Sequence, residues 1–204
     1  MANSFPFSLL LLFLLSLLHP LSTGTAQPTS PPFPASVPPT RHSISAVFAF
    51  GDSTLDAGNN NHLPNPTFVL ADHPPYGLDF PRGISTGRFS NGRLITDSLV
   101  AALGLKDSLP AFLAGDLTPL DLLTGVSFAS AGSGLEDLTA TQSGVMTVAE
   151  QLSNFAAYLG RFNGTAAAAA PVIRNALFIV GAGSNDMMMN FYCVHSGGVP
   201  RPSP

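Results

Sequence analysis

The sequence predicts an α/β protein with a parallel sheet that is covered on both faces. Three short apolar runs, at about 45–50, 125–129 and 176–181, have the length of strands, and helical apolar patterns at about 92–103 and 148–160 separate them. In this β-α-β-α-β order each helix must bury its apolar side against the sheet. Ligands of such sheets bind outside the carboxyl ends of the strands, so the residues that follow each strand are the first candidates for function.

Each predicted helix carries an apolar stripe and a terminal signal. Gly104 stands where a residue with positive φ would close the first helix, and Thr147 with Glu150 matches a capping box at the start of the second. We interpret both stripes as core packing; they consist of Leu94, Ile95, Leu99, Val100 and Leu103, and of Val148, Leu152, Phe155 and Leu159. The alanine run 166–170 fits either a helical turn or a loose insert.

The chain begins with the pattern of a secretory signal peptide. Residues 1–26 contain an apolar core from Phe7 to Leu18, a helix-breaking Pro20 and small residues that permit cleavage after about Ala26. The core is too short to span a bilayer of about 30 Å, so we expect a secreted, extracellular protein without integral membrane association after cleavage. Residues 27–43 are rich in proline and predict an unpacked linker, and the folded part should occupy 44–204.

Composition and charge narrow the function further. The chain has 204 residues, of which 45% are hydrophobic, and its formal net charge is −4 with eight scattered lysines and arginines. This pattern predicts one globular domain and no nucleic-acid partner. Export agrees with a glycosylation acceptor at Asn163, whereas the Asn65 triplet is excluded by its central proline. The lone Cys193 is interpreted as an inert thiol.

The parts of an acyl-transfer site follow the three predicted strands. "GDSTLD" follows the first, "ASAGSG" the second and "GAGSND" the third. Ser53 at a tight turn can present its hydroxyl as a nucleophile, and glycines let a substrate carbonyl approach backbone N–H groups. The amide of Asn185 can direct a further donor to the same oxygen.

These stretches resemble the plant GDSL esterase/lipase family within the SGNH hydrolases. "FGDSTLDAGNNN", "GRFSNGRLITD", "GVSFASAGSGL" and "FIVGAGSND" match its motifs in the right order. The resemblance implies a three-layer α/β/α, flavodoxin-like fold and cleavage of small-molecule or lipid esters without metal or cofactor. It also implies that Ser53 is the nucleophile, and that the Ser53 N–H, Gly132 and Asn185 form the oxyanion hole. Asp52 and Asp186 are interpreted as structural.

Simpler explanations stand beside these assignments. Ser53 alone fits a turn residue, and Gly132 or Asn185 alone fits a helix cap. The segment 83–87 satisfies G-x-S-x-G, but prolines precede it where the nucleophile-elbow motif requires a strand, so Ser85 is predicted to lie in a loop. The asparagines at 59–61 are predicted to make hydrogen bonds within a loop.

The sequence lacks the general base that the resemblance implies. Family members supply it from an Asp-x-x-His pair, and none of the five histidines here has aspartate three residues earlier. His195 is a tempting substitute, but nothing fixes it beside Ser53. We therefore expect an incomplete domain at the carboxyl end, with an exposed sheet edge and little esterase activity. The alternative is a non-catalytic isoform, which could bind acyl or glycan ligands.

Overall fold

The computed structural model describes residues 44–65, 67–162 and 166–192. The predicted signal peptide and linker, Asn163, Cys193 and His195 lie outside the described residues. The elements are β1 (Ala46–Gly51), α1 (Ile95–Ala102), α2 (Pro119–Thr124), α3 (Asp137–Ser143), α4 (Val148–Gly160), α5 (Ala166–Arg174) and β2 (Ala176–Gly181), followed by a π-helix (Asp186–Tyr192). Two 3₁₀ turns, Asn59–His62 and Pro81–Gly83, lie in the long connection between β1 and α1.

The sheet is parallel, with β1 at its centre. β1 pairs with β2 in register, from Ala46 opposite Ala176 to the two glycines at the strand ends. On its other edge β1 meets residues 126–130, where Ala49 forms a parallel bridge with Ser127 and accepts the Phe128 N–H at 2.7 Å. Ser127 in turn bridges Ala111, also in parallel. The order across the sheet is therefore 111, 127, β1, β2.

The predicted strand at 125–129 is extended but is not a continuous strand. Its only bridges within the described residues are the isolated ones at Ser127, although the Ser130 N–H also donates to the Gly51 carbonyl of β1 at 2.9 Å. On the edge away from β1, the amide nitrogen of Asn59 donates to the carbonyls of Ser127 and Ala129 at 2.9 and 2.8 Å. A side-chain amide thus takes hydrogen-bonding positions that a neighbouring strand would otherwise fill. The predicted parallel direction was right, and the predicted regular strand was wrong.

Helices cover both faces of the sheet, as predicted. Ala46, Phe48 and Phe50 of β1 face one cluster, to which α2, α4 and α5 contribute; Val47 and Ala49 face a second cluster built with α1. Every residue of β1 is buried, so the strand lies at the centre of the core. Aromatic rings fill the first cluster, with Phe50 stacked on Phe128 at 5.0 Å between ring centroids. The chain therefore has the three-layer α/β/α arrangement.

The predicted helices exist, but their apolar stripes are only partly buried. Ile95 is 73% exposed and Leu152 is 55% exposed, so core packing was the wrong interpretation for these two side chains. On α4 the fully buried residues are Gln151 and Tyr158, because that face meets the carboxyl end of β1 and the aromatic cluster. The capping box at the start of α4 is present, and Gly104 adopts φ +69° after α1.

β2 is the outermost strand in the part of the chain that the structure describes. Phe178 and Val180, on one face of β2, are 43% and 69% exposed, which is unusual for a parallel strand. The exposure of these side chains concerns a face of the strand and was not predicted. The predicted exposed sheet edge agrees instead with the absence of a second strand beside β2 within the described ranges. Within the described ranges, no helix is both long and apolar enough to cross a membrane.

Candidate functional site

The strand order places a crevice at the carboxyl ends of β1 and β2. From β1 the chain crosses to 126–130 on one side, and from there it crosses to β2 on the other side. Such a reversal opens a crevice where ligands bind in open α/β sheets. Three loops leave the sheet here: loop 1 (51–56), loop 2 (130–136) and loop 3 (181–186).

Direct hydrogen bonds join the three loops. Ser133 of loop 2 donates its hydroxyl to the Gly51 carbonyl of loop 1 at 2.6 Å. Ser184 of loop 3 donates to the Asp52 carboxylate of loop 1 at 2.8 Å, and Asn185 donates its amide to the Ser133 carbonyl, also at 2.8 Å. The neighbours of Ser53 are therefore bonded to loops 2 and 3, and the loops that carry the predicted site residues meet at one edge of the sheet.

Each loop presents a hydrogen-bond donor without a partner among the described residues. Ser53 is half-buried, and neither its hydroxyl nor its backbone N–H is hydrogen-bonded within that part of the chain. The Gly132 N–H is likewise unpaired there. Asn185 uses one amide hydrogen on loop 2 and retains the other. Donors of this kind can stabilise an oxyanion. The assignment of these three residues to catalysis stays a prediction.

Glycine is required at two positions around this edge. Gly51 adopts φ +130°, and a Cβ there would overlap the Gly181 carbonyl oxygen, because the ends of β1 and β2 approach closely. Gly132 adopts φ +87°, and a Cβ there would lie 3.3 Å from the Ser143 Cβ. A side chain at either position would be strained by the backbone, and it would be crowded by the end of β2 at Gly51 and by the end of α3 at Gly132.

The two aspartates that flank the site residues are held by hydrogen bonds. Asp52 accepts the Thr54 N–H at 3.0 Å and the Thr54 hydroxyl at 2.7 Å. Asp186 accepts the N–H groups of Leu135 and Glu136 at 2.8 and 3.0 Å, and the Thr139 hydroxyl at 2.8 Å. Burial raises the pKa of Asp186, but these hydrogen bonds outweigh burial and hold its pKa below the ordinary value. These contacts agree with structural roles.

Asp56 is a buried carboxylate that was not identified from the sequence, and it supports loop 2 through a hydrogen bond to the loop backbone. Asp56 is fully buried and accepts the backbone N–H groups of Gly58, Asn59 and Ala131 at 2.8, 2.6 and 2.9 Å. Burial raises its pKa to about 6, although the three N–H groups favour the charged form. Ala131 precedes Gly132, so Asp56 fixes the peptide next to the candidate oxyanion-hole residue.

Two members of the asparagine run make hydrogen bonds, as predicted, but mainly to distant segments of the chain and not within their own loop. Asn59 and Asn60 are buried, and besides its donations described above, Asn59 accepts the Leu113 N–H at 3.0 Å. Asn60 donates to the Ala131 carbonyl at 2.9 Å and accepts the hydroxyl of Ser130 from loop 2. The sequence signal for hydrogen bonding was clear, whereas burial of this polar run could not be deduced from it.

Gln151 of α4 is a second support that the sequence did not reveal. Its side chain is fully buried, accepts the Gly51 N–H at 2.8 Å and donates to the Gly51 carbonyl at 3.0 Å. The same amide nitrogen lies 3.2 Å from the Ser133 hydroxyl. The only available signal was a glutamine next to apolar positions in an amphipathic helix.

The second matched motif contributes a buried ion pair. Arg88, which is 7% exposed, forms two hydrogen bonds with the fully buried Asp97, at 2.9 and 3.1 Å. The same guanidinium also reaches the carbonyls of Leu109 and Ala57 at 2.7 and 3.2 Å. This motif therefore fastens the start of α1 to the core; the structure shows no part of it in the three loops.

Other candidate groups are not joined to Ser53. Ser85 lies in irregular chain after the 3₁₀ turn Pro81–Gly83, as predicted from the prolines. Of the histidines within the described ranges, His73 lies 3.4 Å from the Asp72 carboxylate on the surface, and neither it nor His62 is hydrogen-bonded to Ser53. In the same ranges, no group of three or more His, Cys, Asp or Glu side chains could hold a metal ion.

The fold and the loops define an α/β/α protein with donor groups at the carboxyl edge of a parallel sheet, a class that includes ester hydrolases. Residues 47–202 match the family model described as GDSL-like Lipase/Acylhydrolase. The chain belongs to this family, whose curated members among the relatives are named as esterases/lipases.

Two Arabidopsis thaliana relatives illustrate the match. The protein named GDSL esterase/lipase At2g40250 is 52% identical over 73% of this chain and 41% of its own length. GDSL esterase/lipase At2g31540 is 40% identical over 99% of this chain and 53% of its own length. The chain thus spans about half the length of these relatives. No solved structure gives a significant match.

Proposed function

We propose that this chain is a secreted GDSL-type hydrolase of small-molecule or lipid esters that works through an acyl-enzyme, with Ser53 as nucleophile. The observation that carries the proposal is the set of unpaired donors, the N–H groups of Ser53 and Gly132 and the second amide hydrogen of Asn185, on three loops that hydrogen bonds hold together. An oxyanion placed among them would gain the hydrogen bonds that these donors lack within the described residues.

In the proposed reaction the Ser53 oxygen bonds to the acyl carbon while its proton passes to a base. The tetrahedral oxyanion then collapses, and the alcohol leaves with a proton. Water hydrolyses the resulting ester of Ser53, which releases the carboxylic acid and restores the hydroxyl.

We further propose that turnover by this chain is strongly impaired. The sequence contains no Asp-x-x-His pair. In a serine protease, loss of the catalytic serine or histidine lowers the turnover number by a factor on the order of 10⁶. One oxyanion donor contributes about 3 kcal/mol, which does not compensate. A purified chain should therefore hydrolyse p-nitrophenyl acetate no faster than its Ser53→Ala variant, and Ser53-dependent turnover would contradict this proposal.

Covalent labelling tests the nucleophile separately from turnover. A fluorophosphonate probe should label the chain slowly, and faster when imidazole in solution supplies a base. Labelling should disappear in Ser53→Ala and persist in Ser85→Ala, which removes the serine of the other G-x-S-x-G stretch. If labelling is equal in Ser53→Ala, or absent with imidazole, Ser53 is not an activated nucleophile.

The same labelling result decides between the hydrolase and a non-catalytic ligand binder. The candidate oxyanion donors alone could retain a carbonyl ligand without cleaving it, which is what the second function requires. Reading the transcript downstream of the codon for Pro204 adds an inexpensive check. An in-frame Asp-x-x-His there would favour the hydrolase.

Secretion rests on the sequence pattern of residues 1–26. Expression in plant cells should yield extracellular protein whose amino terminus is close to Gln27. Glycosylation of Asn163 should give a mass decrease in the Asn163→Gln variant. Retention of the first residues in a cell-associated protein would contradict the secretion proposal.

A further inference from the structure

A cavity of about 630 Å³ lies beside loop 2, within the size range of about 300–1,000 Å³ that is typical of small-molecule sites. Its inner wall is apolar and includes Leu113, Val145 and Met146, of which the last two are each 7% exposed. Its outer wall is polar and includes Glu150, Ser153 and Asn154 of α4. The cavity therefore offers apolar surface at depth and hydrogen-bonding groups near solvent.

The cavity wall lies against the candidate oxyanion hole at Val145. A Cβ built on Gly132 would lie 3.5 Å from Cγ2 of Val145, so the Gly132 backbone packs directly against the cavity wall. The Met146 N–H donates to the Ser130 hydroxyl of loop 2 at 3.1 Å, which fixes this wall to the same loop. Val145 thus places an apolar part of the cavity wall next to Gly132, and a chain that passes this side chain would enter the cavity.

The charge of the lining favours a neutral ligand. Glu150 is the one charged residue among those that line the cavity, and its carboxylate accepts the Thr147 N–H at 2.8 Å in the helix cap. No lysine or arginine among the lining residues could pair with an anion. A carboxylate ligand would be repelled by Glu150, whereas an uncharged ester would not.

We propose that this cavity binds the acyl chain of a neutral carboxylic ester. The inference rests on the proposed hydrolase function and deepens it by assigning the acyl side of the substrate to a named wall of the molecule. Release of the acid product would then be aided by Glu150, because hydrolysis converts a neutral ligand into an anion beside a carboxylate.

Calorimetric titration with methyl butanoate, methyl hexanoate and methyl octanoate tests the proposal. The 204-residue chain carrying Ser53→Ala is used, so that binding is measured without hydrolysis. Affinity should rise by up to about fourfold for each added methylene that the cavity buries. Ser153→Trp, which fills the mouth from α4, and Thr141→Trp, which fills it from α3, should each abolish this dependence. Leu152→Trp is the matched control, because Leu152 is exposed on α4 outside the lining, and should leave the dependence intact.

Two results would overturn the proposal. One is that the affinity for methyl esters does not depend on acyl-chain length in the Ser53→Ala chain, or that the dependence persists in both cavity-filling variants. The other is a dependence lost in Met187→Trp instead, which would place the chain in a second cavity of about 560 Å³ beside Gly183 and Met187. Sodium octanoate should bind more weakly than its methyl ester, and tighter binding would overturn the charge argument. Because Ser53 is replaced throughout, these outcomes are independent of the labelling test for the nucleophile.

Discussion

The buried ion pair between Arg88 and Asp97 should contribute a large share of the stability of this fold. We predict that Arg88→Met lowers the free energy of unfolding by about 3–5 kcal/mol, because it leaves a buried carboxylate without its cation. Asp97 is fully buried and retains only the N–H groups of Leu94 and Leu109 as partners, each at 2.8 Å. The Leu109 carbonyl also loses its 2.7 Å donor. Against a typical total of about 5–15 kcal/mol, the loss is severe.

Arg93 provides the matched control within the same motif. It is exposed, and its side chain makes one hydrogen bond within the described residues, to the Asp107 carbonyl at 2.7 Å, so Arg93→Met should change stability by less than about 0.5 kcal/mol. Urea unfolding followed by circular dichroism measures both variants, and an unchanged m-value shows that the midpoint shift reports stability.

A double variant separates the cost of the orphaned charge from the loss of packing. If the unpaired carboxylate causes most of the damage, adding Asp97→Asn to Arg88→Met should recover at least about 1 kcal/mol. The reasoning is refuted if Arg88→Met unfolds within about 1 kcal/mol of Arg93→Met, or if neutralising residue 97 recovers nothing.

Three further changes test the supports of the site, each by urea unfolding. Because burial raises the pKa of Asp56 to about 6, the native state holds this proton more tightly than the unfolded chain; stability should fall by up to about 3 kcal/mol as pH rises from about 4 to 6, and Asp56→Asn should remove that component. Gly51→Ala should cost about 3 kcal/mol or more, since its Cβ meets the backbone of β2, whereas Gly104→Ala, at φ +69° with open space around it, should cost about 1–2 kcal/mol. Gln151→Met should cost about 1–3 kcal/mol by leaving a buried N–H unpaired, while the exposed Gln142→Met should be nearly neutral. The role of Asp56 is contradicted if the stability difference between Asp56→Asn and the parent chain does not change with pH. The roles of Gly51 and Gln151 are contradicted if each variant loses no more stability than its control.

Local signals in the sequence were sufficient where one element determines its own structure. β1 and β2 follow from apolar runs of strand length, and α4 begins at the capping box that Thr147 and Glu150 predict. The same kind of signal was available for α2, where Thr118 and Asp121 form a capping box around Pro119, the first residue of the helix, but this helix was not predicted. The parallel order followed from the alternation of elements.

Tertiary contacts decide which side chains of a helix are buried, and the periodicity of the sequence does not reveal those contacts. On α4 the apolar Leu152 is exposed and the polar Gln151 is buried, because the helix crosses the end of β1, where two backbone groups of Gly51 need partners. The periodicity of apolar residues in a helix carries no information about a backbone N–H in a distant strand that needs a hydrogen-bond partner. The predicted stripe therefore wrongly included Leu152 and missed Gln151, whereas its members Phe155 and Leu159 do pack against the core.

The motif after the first strand serves two purposes at once, and this explains its density of polar residues. Ser53 lies half-buried near the amino end of the motif, while Asp56, Asn59 and Asn60 turn inward and bind backbone groups of residues 127–131. A neighbouring strand could satisfy those groups equally well, but it would extend across the edge where loop 2 must turn towards the crevice. These three side chains make the same hydrogen bonds without extending any further along the edge. The family motif therefore supports Gly132 structurally besides carrying the proposed nucleophile, and substitutions of Asp56 or Asn60 should displace the candidate donor Gly132 without touching Ser53.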